Sequence, residues 1–288
     1  MFIKISKQKE SRTKLNLLFS IDKKFVSLLI GCLKSIDRFQ SPQPYNVYIL
    51  NSDLTKKDIE EIKNTISSNM VVHNIYVDPN LFNDFPVTSR YPQQIYYRIL
   101  AASLLPKELD RILYLDVDTV VINPLDNLYN MKFEGAYYIA CTHVKSFFNK
   151  MNCIRLGIRE QKTYINSGIM LMNLKALREH QNANDIVVFV QENWAKLFLP
   201  DQDIISALYG EKIKLVDSRI YNLSDRILSL HNATPPYNER LDVNWVRDNS
   251  VVIHYCGRNK PWNKKYIGVL DVFYHELNQH DVNLENEI

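Results

Sequence analysis

Short apolar segments alternate with amphipathic segments through the first half of the chain, and this alternation most constrains the fold. The apolar segments are typical of buried strands, and they occupy Leu15–Phe19, Tyr45–Leu50, Val71–Val77 and the run from Arg111 to Asp116. The intervening segments have helical spacing, and they occupy Phe25–Phe39, Thr55–Ser68 and Gln93–Leu105. Thr55, followed by Asp58, is close to a capping box and predicts the start of the second helix. This order predicts an α/β domain with parallel strands and helices on both faces of the sheet.

The second half of the chain is less regular. Strands are predicted at Ala136–Cys141, Ile165–Met172 and Val251–Tyr255, and helices at Asp185–Phe198, Asp201–Tyr209 and Val269–Asn278. No internal repeat and no low-complexity linker divides the 288 residues. We therefore predict one continuous α/β domain with its nucleotide-binding half first.

Composition and charge argue against several classes of protein. The chain has only seven glycines and contains neither a G-x-G-x-x-G motif nor a P-loop, which disfavours dinucleotide dehydrogenases and P-loop kinases. Its 35 basic residues nearly balance 32 acidic ones, so nucleic acid is not predicted as a partner. The four cysteines lack zinc-site spacing, which is typical of free thiols in a reducing compartment.

Neither a membrane span nor a secretory leader is predicted. The most apolar stretch, Val26–Leu33, is far shorter than the roughly 20 residues that a membrane-spanning helix needs. The chain shows no basic start followed by an apolar run and a small-residue cleavage site. We therefore expect a cytoplasmic protein.

Two pairs of aspartates have the D-x-D spacing of a metal site. Asp116 and Asp118 follow a buried strand, and residues two apart on a strand point the same way, so their carboxylates can converge on Mg²⁺ or Mn²⁺. Ligands of open parallel sheets collect beyond the carboxyl ends of the strands, where Asp116 is expected. The second pair, Asp201 and Asp203, follows Pro200 and opens a helical pattern, so capping accounts for at least one of these carboxylates.

A histidine and a basic loop follow the last predicted strand. His254 ends an apolar run and precedes Gly257, Lys260 and Trp262. Gly257 allows close approach of the backbone, and Lys260 offers a point charge to a phosphate. An imidazole beside two carboxylates favours Mn²⁺ over Mg²⁺.

Four motifs occur in order along the chain, and together they resemble glycosyltransferase family 8. They are Leu113-Tyr-Leu-Asp-Val-Asp118, Ile165-Asn-Ser-Gly-Ile-Met-Leu-Met-Asn173, Asp201-Gln-Asp-Ile204 and His254-Tyr-Cys-Gly-Arg-Asn-Lys-Pro-Trp262. The resemblance runs from about Leu15 to about Tyr274. It implies a single GT-A domain, in which a Rossmann-like mixed sheet is flanked by helices. On this basis we expect the domain over 15–278, divided into nucleotide-binding (15–122) and acceptor-binding (123–278) halves, with a polar lead-in over 1–14 and a tail over 279–288.

The resemblance also implies roles for individual residues. It makes Asp116, Asp118 and His254 the metal ligands. It assigns contacts with the donor's diphosphate to Gly257 and Lys260.

The remaining roles concern the other parts of the donor. The resemblance places Asp22 near its uracil and ribose and Arg98 on its sugar and diphosphate. Asn166, Asp201 and Gln202 match positions that line the sugar pocket, with Gln202 nearest the reacting carbon. Similar galactosyltransferases read Asp-Asp-Asn-Tyr at the first loop, whereas this chain has Asp22-Lys-Lys-Phe25, so Lys24 replaces an asparagine that contacts the nucleotide.

The activity implied by the resemblance is metal-dependent transfer of galactose or glucose from a UDP-sugar, with retention, to a glycan or glycolipid acceptor. Such enzymes act in bacterial lipopolysaccharide biosynthesis, which predicts a place in the cytoplasm and at the inner face of the membrane. Because Gln202 is a poor nucleophile, same-face attack is expected in preference to a double displacement.

Two other functions stay open at this level. A sugar nucleotidyltransferase also needs paired carboxylates and a divalent ion, but the segment Ser20–Asp22 lacks the glycine-rich, basic phosphate loop expected there. A catalytically degenerate transferase that only binds nucleotide sugars or glycans is favoured by Lys24 and opposed by the complete set of metal ligands.

Overall fold

The structure is a computed structural model that describes residues 14–39, 44–83, 85, 87, 92–144, 146–158 and 162–285. Apart from Lys14, the lead-in predicted over 1–14 lies outside the described residues. Residues 84, 86 and 88–91 lie outside them as well.

Nine strands occur in the described residues, and seven of them form one mixed sheet. The strands are β1 (Leu15–Ser20), β2 (Tyr45–Asn51), β3 (Met70–Tyr76), β4 (Arg111–Leu115), β5 (Thr119–Val121), β6 (Tyr138–Cys141), β7 (Asn166–Asn173), β8 (Ile213–Leu215) and β9 (Val252–His254). The large sheet has the order β3-β2-β1-β4-β7-β6-β8, and β5 pairs with β9 in a second sheet.

The large sheet has a parallel half and a half in which one strand runs antiparallel to its neighbours. The strands β3, β2, β1 and β4 are parallel, with Leu17 opposite both Val47 and Leu113. The strand β7 runs antiparallel to β4 and β6, while β8 is parallel to β6. Helices connect β1 to β2 and β3 to β4, as parallel pairing requires. The parallel strands predicted from the alternation of apolar and amphipathic segments are therefore present in this half of the sheet. The mixed sheet of a single α/β domain, implied by the family resemblance, is confirmed.

The helices are α1 (Val26–Asp37), α2 (Lys56–Thr65), α3 (Gln94–Tyr97), α4 (Ala101–Leu104), α5 (Asp126–Tyr129), α6 (Ser146–Leu156), α7 (Leu174–His180), α8 (Ala183–Asn193), α9 (Pro200–Tyr209), α10 (Ser218–Tyr221), α11 (Asp225–Asn232), α12 (Val243–Asn249) and α13 (Asp271–Glu285). The predicted capping box of α2 is present, because Thr55 and Asp58 each accept a hydrogen bond from the other's backbone N–H. No helix in the described part of the chain has the length and apolarity to cross a membrane.

Both faces of the central sheet are buried. Leu17 of β1 belongs to the apolar cluster that includes Leu29 and Leu33 of α1, whereas the adjacent Leu18 packs in the cluster that contains Tyr96 and Met170. Neighbouring strand residues point to opposite faces, so a strand covered on both sides reads as a continuous apolar run.

Several predicted boundaries are wrong. The helix expected over Gln93–Leu105 is interrupted, because Leu100 has the non-helical angles φ −94° and ψ 14°. The helix expected to reach Phe198 leaves α-helical geometry after Asn193, and α13 continues past the predicted boundary at 278 to Glu285. The short strands β5 and β8 were not predicted, because three residues carry too little periodicity to show a strand.

Candidate active site

Asp116 and Asp118 lie in the turn that joins β4 to β5, at the carboxyl edge of the parallel half of the sheet. The Asp116 N–H donates to the Gly168 carbonyl at 2.7 Å, and the Thr119 hydroxyl donates to the Asp116 carbonyl at 2.7 Å. The expected position beyond a buried strand is therefore correct. The expected reason for convergence is wrong, since a turn rather than the strand pleat brings the two carboxylates together.

His254 completes a cluster with these carboxylates. It ends β9, where it pairs with Thr119 of β5, so the small sheet carries the imidazole to the aspartate turn. Its Nε2 lies 3.3 Å from Oδ1 of Asp118 and 3.7 Å from Oδ2 of Asp116. One ligand atom from each of the three residues lies within 4.8 Å of the others.

A chain of hydrogen bonds fixes the tautomer of His254. The Gly168 N–H donates to Oδ1 of Asn166 at 3.1 Å, and that same oxygen accepts from Nδ2 of Asn222 at 3.0 Å. The amide orientation of Asn222 is thereby set, with its Oδ1 2.9 Å from Nδ1 of His254. Since Oδ1 can only accept, Nδ1 carries a proton, and Nε2 is the ring nitrogen that faces the aspartates.

This donor set fits a divalent cation. Two carboxylates and a neutral imidazole suit Mn²⁺, and Mg²⁺ is accommodated by the same oxygens. A metal-binding histidine generally donates its other ring N–H to a fixed acceptor, as His254 does to Asn222.

Arg98 joins the cluster to the second aspartate pair. Its Nη1 lies 2.9 Å from Oδ1 of Asp116 and 3.1 Å from Oδ2 of Asp201. Its guanidinium stacks over the Tyr114 ring at 4.4 Å, and the Ser167 hydroxyl donates to Asp201 at 2.8 Å. The break between α3 and α4 follows Arg98 and leaves its side chain at the carboxyl edge of the sheet.

Lys260 supplies a second positive charge. Its ammonium pairs with Oδ2 of Asp118 and donates to the Tyr255 carbonyl at 2.7 Å. It also lies 5.6 Å from the Trp262 ring. Gly257, which begins the turn between the metal cluster and Lys260, has φ +85°, a region in which glycine is favoured over residues with a side chain.

The pKa values of Asp118 and Asp201 shift in opposite directions. Burial disfavours the charged form of Asp118, yet the attraction of His254 and Lys260 lowers its pKa below the ordinary value. Burial raises the pKa of Asp201, although Arg98 acts in the opposite direction. Asp118 therefore stays anionic, as a metal ligand must.

Asp203 is structural, as predicted for one member of the second pair. Its carboxylate is fully buried, pairs with Arg155 at 2.7 Å and accepts from the Tyr164 hydroxyl at 2.7 Å. It also accepts from the backbone N–H groups of Phe198 and Leu199, just before α9. These bonds satisfy N–H groups that precede the helix.

One cleft of about 1010 Å³ collects most of the predicted site residues. Its lining includes Arg98, Asp116, Asp118, Asn166, Asp201, Gln202, His254 and Gly257. Gln202 lies on the first turn of α9, beside Tyr164.

Asp22 is not among the described residues that line this cleft. It follows β1 and caps the next turn by accepting from the Lys24 N–H at 2.8 Å. The Lys23 N–H donates to Asp53 at 3.2 Å. The predicted nucleotide contact of Asp22 stays a prediction.

Sequence reasoning missed two residues that shape the site. Asn222 holds the imidazole of His254, but it lies in an irregular stretch without any motif. Gly168 stands within one of the four motifs, but the motif does not show why glycine is needed there. A Cβ at this position would overlap Cε1 of His254 and lie 2.8 Å from Oδ2 of Asp116, so no residue with a side chain fits.

Known proteins resemble this chain in sequence and in fold. The chain is 26% identical to the lipopolysaccharide 1,2-glucosyltransferase of Escherichia coli over 88% of this chain and 75% of that protein. It is 24% identical to general stress protein A of Bacillus subtilis over 83% and 81% of the two chains. The crystal structure of the galactosyltransferase LgtC with donor and acceptor sugar analogues superposes with a TM-score of 0.78, at 21% identity, over 92% of this chain and 96% of the other.

The family resemblance is therefore confirmed at the level of fold and of sequence. The family description Glycosyl transferase family 8 matches residues 16–266, which include the aspartate turn, Asn222 and the loop after His254. The chain belongs to glycosyl transferase family 8.

Proposed function

We propose that the chain is a retaining hexosyltransferase that moves glucose or galactose from a UDP-sugar to a glycan acceptor. The observation that carries this proposal is the convergence of Asp116, Asp118 and Nε2 of His254 beside Lys260. Glucose is favoured by the name of the E. coli relative, and galactose by that of LgtC. The role of the E. coli relative in lipopolysaccharide synthesis makes a bacterial surface glycan the proposed acceptor.

Asp116, Asp118 and His254 would hold Mn²⁺, or Mg²⁺ in its place. When bound, such an ion neutralises the charge that develops on the leaving diphosphate, a contribution worth several kcal/mol. Lys260 adds a fixed positive charge at the same place, because its ammonium is already held beside Asp118.

Arg98 has an organising role in this proposal. It contacts Asp116 and Asp201 through one nitrogen, so the metal side and the sugar side of the cleft keep a fixed spacing. Catalytic geometry of this kind depends on groups held in place before the substrate arrives.

Retention is implied by the family resemblance, and the residues around the reacting carbon indicate how it is achieved. A double displacement requires a carboxylate nucleophile, but Asp203 is fully buried in its contacts with Arg155 and Tyr164. Asp201 is engaged by Arg98 and Ser167, and the residue between them, Gln202, is an amide.

We therefore propose same-face attack. The acceptor oxygen forms a bond to the anomeric carbon as the bond from that carbon to UDP breaks, and the acceptor's proton passes to the leaving UDP oxygen. Asp201 orients the sugar hydroxyls in this scheme, with Gln202 at the reacting face. Mass spectrometry that finds a sugar covalently attached to Asp201 or Asp203 would contradict it.

The experiment that tests the function is a UDP-release assay with a panel of UDP-sugars in Mn²⁺, Mg²⁺ or EDTA. We expect slow hydrolysis of UDP-glucose or UDP-galactose that depends on Mn²⁺ and stops with EDTA. Calorimetry of UDP binding accompanies the assay, because turnover can require the acceptor. Failure of the protein to bind UDP in Mn²⁺ would overturn the proposal and favour a degenerate transferase. Release of pyrophosphate from UTP and a sugar phosphate would instead indicate a nucleotidyltransferase.

Replacing Asn222 by alanine is expected to weaken Mn²⁺ binding about 10- to 100-fold, because the Nδ1 proton of His254 then loses the acceptor that orients the ring. Electron paramagnetic resonance of free Mn²⁺ measures this affinity without any turnover. Asn222→Asp retains an acceptor for the Nδ1 proton, so it should bind Mn²⁺ more tightly than Asn222→Ala. Equal Mn²⁺ affinity in the wild type and Asn222→Ala would show that the imidazole needs no such support.

A further inference from the structure

Most charged side chains of the cleft are satisfied within the protein. Arg98 contacts Asp116 and Asp201, and Arg155 pairs with Asp203. Asp225 is engaged by Tyr266 and by the N–H groups at 269 and 270. These charged groups therefore already have partners within the protein before any substrate binds.

Arg226 and Arg258 differ from them. Both line the cleft and both are exposed, and neither guanidinium has an ion pair or hydrogen bond among the residues that the structure describes. Exposure alone does not explain this, since the partly exposed Arg219 and Arg247 pair with Asp217 and Glu276. Two cations thus face the cleft without a counter-charge from the described chain.

Hydrogen bonds bring the two arginines to the same side of the cleft. The Asp225 carboxylate accepts from the N–H groups of Val269 and Leu270. The side-chain amide of Asn259 exchanges two hydrogen bonds with the backbone of Ile267, at 2.7 and 3.0 Å. Arg226 directly follows Asp225, and Arg258 directly precedes Asn259. The backbones of both arginines are therefore held beside the segment 267–270, while their side chains reach solvent.

Arg226 and Arg258 are separate from the site that we propose for the donor's diphosphate. The proposed diphosphate site consists of a metal cluster in which His254 is only 2% exposed, together with Lys260, which is already bonded to Asp118. Arg226 and Arg258 line the same cleft but are exposed, so a second substrate could contact them while the donor occupies the metal side. Guanidinium groups bind phosphate and carboxylate oxygens through two parallel hydrogen bonds.

We propose that Arg226 and Arg258 form an anion subsite for the acceptor, so that the glycan accepted by this enzyme carries a phosphate or a carboxylate near the hydroxyl that reacts. The inference rests on the proposed function, because it presumes that the donor occupies the metal side of the cleft. It narrows the acceptor from any glycan to an acidic one.

The test measures binding of matched sugars to the protein already loaded with UDP and Mn²⁺. The probes are glucose, glucose 6-phosphate and glucuronic acid, and ligand-observed NMR gives their affinities. We expect one or both anionic sugars to bind at least about tenfold more tightly than glucose, as one charge-assisted contact allows. Tighter binding of glucose 6-phosphate would indicate a phosphate on the acceptor, and tighter binding of glucuronic acid would indicate a carboxylate.

The preference is expected to disappear in Arg226→Ala, Arg258→Ala and the double variant. Arg38→Ala, which removes an exposed arginine from the end of α1, is the matched control for net charge and should retain it. Equal binding of the three sugars by the wild type, or a preference that survives in the double variant, would overturn the subsite.

UDP binding in Mn²⁺, measured first, separates this inference from the function on which it rests. If the wild type fails to bind UDP, the proposed function itself is wrong. If the wild type binds UDP but the arginine variants do not, the two arginines belong to the donor site and the acceptor subsite is wrong.

Discussion

Asp118→Asn is expected to lower Mn²⁺-dependent turnover of the UDP-sugar at least about a hundredfold while the protein stays folded. Oδ1 of Asp118 lies 3.3 Å from Nε2 of His254, and Oδ2 pairs with Lys260. The amide keeps the shape but removes the charge from both contacts. A loss of several kcal/mol of charge stabilisation corresponds to a hundredfold or greater fall in rate.

The measurement compares UDP release and Mn²⁺ affinity for the variant and the wild type, with thermal unfolding followed by circular dichroism. Asp248→Asn is the matched control, because this carboxylate is exposed on α12, outside the described lining of the cleft. It should leave turnover unchanged. If Asp118→Asn stays folded and keeps the turnover and Mn²⁺ affinity of the wild type, Asp118 is not a metal ligand of the working enzyme.

The carboxyl end of a buried strand predicted where Asp116 lies, and the family resemblance predicted that His254 joins the two aspartates. Asp116, Asp118 and His254 are more than a hundred residues apart along the chain at their extremes, yet their ligand atoms cluster. The sequence could not predict how they converge. The approach of His254 depends on the pairing of β9, which was predicted, with β5, whose three residues are too few for periodicity to define a strand.

The helix around Arg98 shows a second limit. Helical spacing predicted one helix from Gln93 to Leu105, but the chain breaks after Arg98. A buried guanidinium requires charged partners, and here they are Asp116 and Asp201 from distant parts of the chain. Local periodicity carries no information about partners at that separation, so the tertiary contact determines where the helix ends.

Asn222 and Gly168 were missed for different reasons. Asn222 reaches His254 because the chain around Leu223 runs beside β9, with an isolated bridge from Leu223 to Ile253. No pattern in the sequence marks that pairing. Gly168 lies in the Asn-Ser-Gly motif, but only the position of His254 explains why no larger residue fits there.

Gly168→Ala is expected to reduce both Mn²⁺ affinity and turnover at least about a hundredfold. The added methyl group would overlap Cε1 of His254, and it would lie 2.8 Å from Oδ2 of Asp116 and 3.0 Å from Nδ1 of His254. All three atoms belong to residues that we propose as metal ligands, and Nδ1 also bonds to Asn222. The backbone of Gly168 is tied to Asp116 by a 2.7 Å hydrogen bond, so the imidazole and carboxylate must move instead, and close-packed interiors yield poorly to such insertions.

Mn²⁺ titration followed by electron paramagnetic resonance tests this, since it reports the ligand geometry without any need for the acceptor. Gly31→Ala is the matched control, because a Cβ at Gly31 has nothing within 4 Å and the residue lies inside α1. That substitution should keep Mn²⁺ affinity and raise the free energy of unfolding by up to about 1 kcal/mol, as alanine does for glycine in a helix. If Gly168→Ala binds Mn²⁺ as tightly as Gly31→Ala does, the positions of His254 and Asp116 seen here are not required for metal binding, and the proposed ligand set is wrong.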